Sequence, residues 1–271
     1  ITGADVDYNG SPTGYTLDPQ EHIVYTAAHD NEALFDIIQV KAPLVTSLED
    51  RVRMNNLAID VVMLSQGVPF FHAGDEMLRS KSGDKNSYDS GDWYNALDFS
   101  YQDNCWGHGL PPSWTTQENW SQWQPLLANP DLQPTTENIQ SAISHFEEML
   151  SIRRDVALFR LRTGEDVLNS VTFQNTGAEQ VPGLIVMSIS DQGDANLDPN
   201  YSYAVVLFNA SPETQTFTLA DVVGYPLQLH AVQAASSDAI TASSTFDAAT
   251  GTFTVPARTT AVFVAPEGEL P

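Results

Sequence analysis

Two hydrophobic periodicities divide the chain. From about residue 20 to 156, apolar positions recur at helical spacing between short apolar runs, whereas beyond that point short strand-like segments alternate with turn clusters. The run Ile23–Val24–Tyr25 belongs to a strand expected over about His22–Ala27, and a short helix is expected over about Glu32–Val40. A longer helix is expected over about Ser47–Gln66, with Leu48, Val52, Leu57, Val61, Val62 and Leu64 at helical spacing. Thr46 or Ser47 can cap it, Glu49 or Asp50 sits in its first turn, and Gly67 stops it. "VPFFHAG" is a short apolar run bounded by glycine, which suits a buried strand. An irregular stretch then runs to about Thr136. "TTENIQSAISHFEEMLSIRRD" returns to helical spacing, with Thr136 as cap and Ile139, Ile143, Phe146, Leu150 and Ile152 on its buried side.

The second half changes period. "VLNSVTFQ", "GLIVMSIS", "YSYAVVLFN", "TQTFTLA", "LQLHAVQ", "STFD", "GTFTV" and "TAVFVA" read as strands between turn clusters such as "NASPE" and "DAATG". Many short strands at this spacing predict an antiparallel β-sandwich. The boundary falls near Leu158, dividing residues 1–157 from 158–271. The first half alternates strand and helix in the manner of parallel βα units. A closed barrel of such units needs eight of them and ~250 residues, and only two strands with their helices are present. The expected fold class is therefore α/β plus all-β: the C-terminal part of a (β/α)8 barrel followed by a sandwich, in a chain that is the C-terminal portion of a longer polypeptide. Such a barrel part would expose apolar strand faces.

Charge changes the picture of partners. Asp and Glu number 35 against 11 Lys and Arg, a net charge of −24 with His neutral. That field repels polyanions and argues against nucleic acid and anionic membranes, while a neutral ligand feels little of it. It also fits a protein soluble in salty water, where salt screens self-repulsion. The single cysteine, Cys105, excludes an internal disulfide and a cysteine-rich metal site. No apolar run approaches the ~18 residues of a membrane span. "ITGADVDYNG" has no signal-peptide pattern.

Candidate chemistry lies where the first half's strands end. In "YTAAHDNEALFD", an imidazole and a carboxylate, His29 and Asp30, follow the apolar run directly. From the pair alone, Asp30 could equally cap the helix that begins near Asn31 or Glu32. Asp75 and Glu76 are adjacent carboxylates, but on an extended chain they point opposite ways and cannot flank one bond. "RSKSGDKNSYDSGDW" gathers Arg79, Lys81, Asp84, Lys85, Asp89 and Asp92 with Tyr88 and Trp93. Aromatic faces and charged groups together suit a sugar site, and they equally suit a loop braced by its own ion pairs. Trp106, Trp114, Trp120 and Trp123 could form an outer platform or pack the long loop, the second being favoured. His72 reads as a core histidine. No Asp-x-Asp-x-Asp-Gly calcium loop is present, and no metal residue is assigned.

These motifs together resemble a known family. "VYTAAHDNEALFD" resembles the fourth signature segment of the α-amylase superfamily of glycoside hydrolases, where His-Asp ends the seventh barrel strand. "QGVPFFHAGDEMLRSK" resembles that superfamily's eighth-strand segment. "LRSKSGDKNSYDSGDWYNALDFSYQDN" looks like a loop of type I pullulanases and limit dextrinases, and "FRLRTGEDVLNSVTFQNTGAEQVPGLIVMSI" is similar to their closing β-domain. The resemblance implies part of a retaining hydrolase of α-1,6-glucosidic branches in pullulan, starch or limit dextrins. It implies that Asp30 stabilises the transition state and His29 binds a sugar hydroxyl. Substrate contacts are expected from Arg79, Asp89, Asp92 and Trp93. In the family the nucleophile and general acid lie upstream of the segments seen here, so the chain alone is expected to be inactive. No cofactor is required, and calcium is common in the superfamily. The expected partners are an α-glucan and the missing N-terminal part of the same polypeptide. The expected location is secreted, periplasmic or cell-surface. The alternatives are a non-catalytic glucan-binding fragment or another specificity of the superfamily: isoamylase, branching enzyme or α-1,4 amylase.

Overall fold

The computed structural model describes residues 6–191 and 196–271. Residues 1–5, part of the segment inspected for a signal pattern, lie outside that description. The chain divides into two compact units. One comprises residues 25–62 and 70–147, and the other comprises 1–24, 63–69 and 148–271.

The first of these units is mainly helical. It holds α1 (Leu34–Lys41), most of α2 (Leu48–Leu64), the short α3 (Asp92–Asn95) and α4 (Ser113–Thr116), α5 (Trp120–Leu127) and the first part of α6 (Thr136–Asp155). Ser47 caps α2, its Oγ accepting from the Asp50 amide at 3.1 Å. Arg51 lies fully buried on α2. Its Nε donates to Thr46 O at 3.0 Å, Nη1 to Gln39 O at 3.1 Å and Nη2 to Pro43 O at 2.8 Å, so one guanidinium satisfies the carbonyls of the α1–α2 turn. Thr135 caps α6 in place of the expected Thr136. Its Oγ1 accepts from the Asn138 amide at 3.3 Å, and Asn138 Oδ1 returns a bond to the Thr135 amide at 3.0 Å. Leu150, expected inside, is 45% exposed, while Met149 and Ile152 are buried. Between Pro69 and α6 the chain forms no strand. This irregular stretch packs through Met77, Leu78, Trp106 and Leu132 against Phe35, Val52 and Ile139 in one apolar cluster.

The other unit carries all twelve strands found among the described residues. β1 (Asp7–Tyr8) and β2 (Ser11–Pro12) form a small hairpin, and β3 (Ile23–Val24) pairs in parallel with β4 (Val68–Pro69). Both parallel strands are shorter than expected, and Pro69, with no amide proton, cannot extend the ladder. Val68, expected to be buried, is 43% exposed, and Ile23 is 58% exposed. Arg153 on α6, 8% exposed, binds the carbonyls of Met63, Ser65 and Gly67 at 2.6, 3.0 and 3.0 Å and so caps the end of α2.

The closing strands form two antiparallel sheets. β5 (Val171–Phe173), β6 (Leu184–Ser190), β7 (Tyr201–Asn209), β12 (Thr259–Pro266) and β9 (Gln228–Leu229) are ordered β5-β6-β7-β12-β9. β10 (Thr245–Asp247), β11 (Thr252–Val255) and β8 (Gln215–Thr218) form the second sheet in that order. Val186, Val205, Leu207 and Phe263 from one sheet meet Phe253, Val255, Phe217 and Phe246 from the other in a single cluster. Two expected strands begin or end differently. The first half of "VLNSVTFQ" belongs to α7 (Gly164–Ser170), because Thr163 Oγ1 accepts from the Asp166 amide at 3.0 Å and starts a helix. "LQLHAVQ" leaves the sheet after Leu229, where His230 Nδ1 accepts from the Val232 amide at 3.3 Å and caps α8 (Ala231–Ala234); α9 (Ala239–Ala242) follows. Among the described residues no helix is long and apolar enough to cross a membrane.

Candidate functional site

From β3 the chain runs irregularly to His29 and Asp30, anchored on the way by Ala27, which packs with Leu34 and Ile59. His29 Nδ1 lies 3.2 Å from Asp30 Oδ1, and the two side chains are 86% and 78% exposed. Asn31 takes a left-handed turn at φ +64°. Helix α1 begins only at Leu34 and its N-cap, Ala33, makes no side-chain cap bond. Asp30 is therefore not a helix cap, which removes the simplest structural reason for a carboxylate at this position.

The loop after β4 is held beneath this pair. Asp36 on α1 is fully buried. One of its oxygens accepts from Ser80 Oγ, and the other accepts from the amides of Lys81 at 2.8 Å and Gly83 at 3.1 Å. Burial nevertheless pushes its carboxyl up to about 6. Lys81, 1% exposed, donates from Nζ to the His29 carbonyl at 2.8 Å. Burial lowers its pKa and the Arg79 charge adds to that, while the carboxylates of Asp36, Asp84 and Asp30 pull the other way.

Arg79, expected to contact substrate, is 8% exposed and spends its guanidinium inward. Nη1 donates to His72 Nε2 at 3.0 Å and to Ala73 O at 2.9 Å, and Nη2 donates to Asn95 O at 3.1 Å. His72 must therefore carry its proton on Nδ1. Burial, followed by the charges of Arg79, Lys81 and His29, holds that ring down at about 4, so it is neutral. Asp75 is 2% exposed, and burial pushes it up to about 7. Glu76 Oε2 turns back to accept from the Gly74 amide at 3.0 Å. Glu76 thus serves the local turn, whereas the Asp75 carboxyl oxygens are buried without a hydrogen-bond partner, and Asp75–Met77 is a 3-10 turn rather than an extended strand.

Asp89, Asp92 and Trp93 lie outward, Trp93 at 59% exposure with its ring 5.1 Å from that of His108. Asn95 stitches this part of the loop, its amide reaching Ser87 O at 2.7 Å and Gly91 O at 3.1 Å. Lys85 pairs with Glu118 at 3.3 Å. The other tryptophans divide. Trp106 and Trp123 are buried, with ring centroids 6.3 Å apart, and Trp120 anchors its Nε1 on Pro111 O at 2.7 Å. Trp114 is 72% exposed. Among the described residues no group of three or more His, Cys, Asp or Glu is placed to hold a metal ion.

The site thus has two layers, an exposed His29–Asp30 pair and a buried support built on Asp36, Lys81, Arg79 and His72. Sequence reading singles out the first layer as a candidate and passes over Asp36. Its signal was visible: an acid inside the apolar helical run "LFDIIQV" is a buried carboxylate in want of donors.

The family described as alpha-1,6-glucosidases, pullulanase-type, C-terminal, matches residues 101–266. The chain is 47% identical over 97% of its length to pullulanase 1, chloroplastic, of Arabidopsis thaliana, covering 28% of that protein. It is 38% identical to the pullulanase of Klebsiella pneumoniae over 98% of its length, covering 24% of that protein. The crystal structure of PulA from Klebsiella oxytoca superposes over 99% of the chain with a TM-score of 0.90 at 37% identity, the chain spanning 25% of it. A Klebsiella pneumoniae pullulanase complexed with maltotriose matches over 99% of the chain with a TM-score of 0.88 at 39% identity, the chain spanning 26% of it. The chain therefore spans about a quarter of the relatives it matches, and it belongs to the family of pullulanase-type α-1,6-glucosidases, in their C-terminal region.

Proposed function

We propose that the chain forms the C-terminal part of a retaining enzyme that hydrolyses α-1,6 branch linkages in glucans. The observation that carries this is similarity to pullulanases over nearly the whole chain, including a relative of known structure complexed with maltotriose. In this reading residues 1–157 supply the last two βα units of a (β/α)8 barrel, and 158–271 are a β-sandwich that closes it. The parallel pairing of β3 with β4 supports the barrel part of this reading, and the two antiparallel sheets sharing one core support the sandwich. The rest of the same polypeptide is the proposed partner, covering the apolar residues exposed around the parallel strands. Tyr25 and Phe70, 58% and 52% exposed with rings 6.3 Å apart, are among them.

A retaining glycosidase passes through an oxocarbenium-like transition state using a nucleophile and an acid/base. We assign both to the remainder of the polypeptide, so the isolated chain is inactive. Asp30 contributes by gripping hydroxyls of the reacting glucose more strongly as that ring flattens and positive charge builds. An interaction stronger in the transition state than in the ground state lowers the barrier. His29 donates to a neighbouring hydroxyl. Trp93, Asp89 and Asp92 rim the cleft, and Arg79 acts from behind them by bracing the loop. No redox cofactor is needed. A secreted, periplasmic or cell-surface location is part of the same proposal.

In the full-length protein, Asp30→Asn should reduce kcat on pullulan by about a hundredfold or more with an unchanged melting midpoint. Near-normal turnover of that variant would overturn the assignment.

A further inference from the structure

We propose that Lys81 is a positioning residue for the His29–Asp30 pair, holding the His29 carbonyl with its buried ammonium while Asp36 locks the Lys81 loop to α1. The proposal rests on the reading of Asp30 given above.

The pair has no support from side-chain packing. Both side chains stand in solvent, and Asn31 beside them is in a left-handed turn. The backbone is the handle by which the fold can place them, and Lys81 takes that handle at 2.8 Å. The amide of Lys81 is itself fixed at 2.8 Å on Asp36 Oδ2, and Ser80 and Gly83 bind the same carboxylate. Asp36 lies on the helix that follows the pair directly. The links form a closed ring: from His29 along the chain to Asp36, by hydrogen bond to Lys81, and along its side chain back to the His29 carbonyl. Such a ring fixes the His29 backbone from which the pair projects, and catalytic groups must be held within about 0.5 Å of their productive geometry. Lys81 also places a positive charge near enough to Asp30 for the two to interact electrostatically.

Stability alone does not account for a lysine here. A buried ammonium is expensive to desolvate, and an apolar side chain of similar volume is often as stabilising or more so. What an apolar side chain cannot do is hold a carbonyl.

The test uses the full-length protein carrying Lys81→Met, Lys81→Gln, Lys81→Arg and Asp30→Asn, with Lys81→Met also combined with Asp30→Asn. Lys81→Met should lower kcat on pullulan by about tenfold to a hundredfold with KM within about twofold. Lys81→Arg should recover most of that loss, and Lys81→Gln, which keeps a donor without the charge, should recover part. In the Asp30→Asn background, Lys81→Met should cost little more, because its effect passes through a group already removed. Should Lys81→Met fail to fold, Lys81→Gln against Lys81→Arg gives the same comparison. If Asp30→Asn is crippled while Lys81→Met and Lys81→Gln turn over normally, the positioning role is wrong and the Asp30 reading stands. A full, additive loss in the double variant also overturns the proposal. If Asp30→Asn itself turns over normally, the underlying reading fails instead.

Discussion

His145 Nε2 donates to Asp60 Oδ1 across 2.7 Å, joining α6 to α2. The Asp60 side chain is 1% exposed and that of His145 13%. Removing one partner of a buried charged bond leaves the other desolvated, which costs more than the bond contributed. His145→Ala should therefore destabilise the protein by about 2–4 kcal/mol in urea unfolding. A loss below about 0.5 kcal/mol would show that Asp60 is satisfied without the imidazole.

Asp75 gives the protein a pH dependence of a particular sign. Its folded pKa, pushed up to about 7 by burial, stands well above the ordinary carboxylate value of 3.8. Between those two values the folded state binds more protons than the unfolded state. Stability from this group therefore falls as pH rises through that window and levels off above it, with a slope of up to about 1.4 kcal/mol per pH unit. Asp75→Asn should flatten the decline between pH 4 and pH 7, read as the difference between variant and parent melting midpoints. Parallel pH curves for the two would remove Asp75 from the account.

Gly83 is held at φ +77°, and a Cβ there would meet the Trp123 ring at 2.4 Å. The loop that carries Lys81 can reach Asp36 only because this position has no side chain. Gly83→Ala combines left-handed strain with overpacking against a buried indole, and should cost about 2–4 kcal/mol. Fluorescence of the Trp123 region should shift with it. An unchanged midpoint would mean that the loop relaxes freely.

Two tryptophans should separate binding from packing. Trp123 is 1% exposed and Trp93 is 59% exposed. Trp123→Ala should cost about 3–5 kcal/mol of stability. Trp93→Ala should leave stability within about 0.5 kcal/mol and raise KM for pullulan in the full-length protein, if the exposed ring stacks on sugar. A Trp93 variant with parental KM would make that ring an ornament of the loop.

The elements with long regular patterns were legible in the sequence. α2 and α6 appear within a few residues of their expected spans, and, "LQLHAVQ" apart, the strands from "GLIVMSIS" to "TAVFVA" fall where the sequence pattern places them. The misses have local causes. Thr163 and His230 each accept an amide bond that starts a helix inside an expected strand. Spacing alone puts Leu150 on the buried side of α6, whereas the helix turns Met149 inward instead. His29 and Asp30 stand out as candidates through their neighbours in the chain. Their support does not, because it joins residues 45 and 52 positions apart, Asp36 to Lys81 and Lys81 to His29.

What the sequence determined by itself was the kind of protein: its periodicities, its acidity and the motifs that align it with α-1,6-glucosidases. These are properties of neighbouring residues, and neighbours are what a linear pattern records. Only the tertiary structure decided which charged side chains face water and which hold the fold. Arg79, Lys81, Asp92 and Asp89 belong to one polar loop, yet the first two are buried and the last two exposed. The reason is physical. A charge can be buried only where distant parts of the chain bring donors or acceptors to it, and no local pattern specifies that meeting.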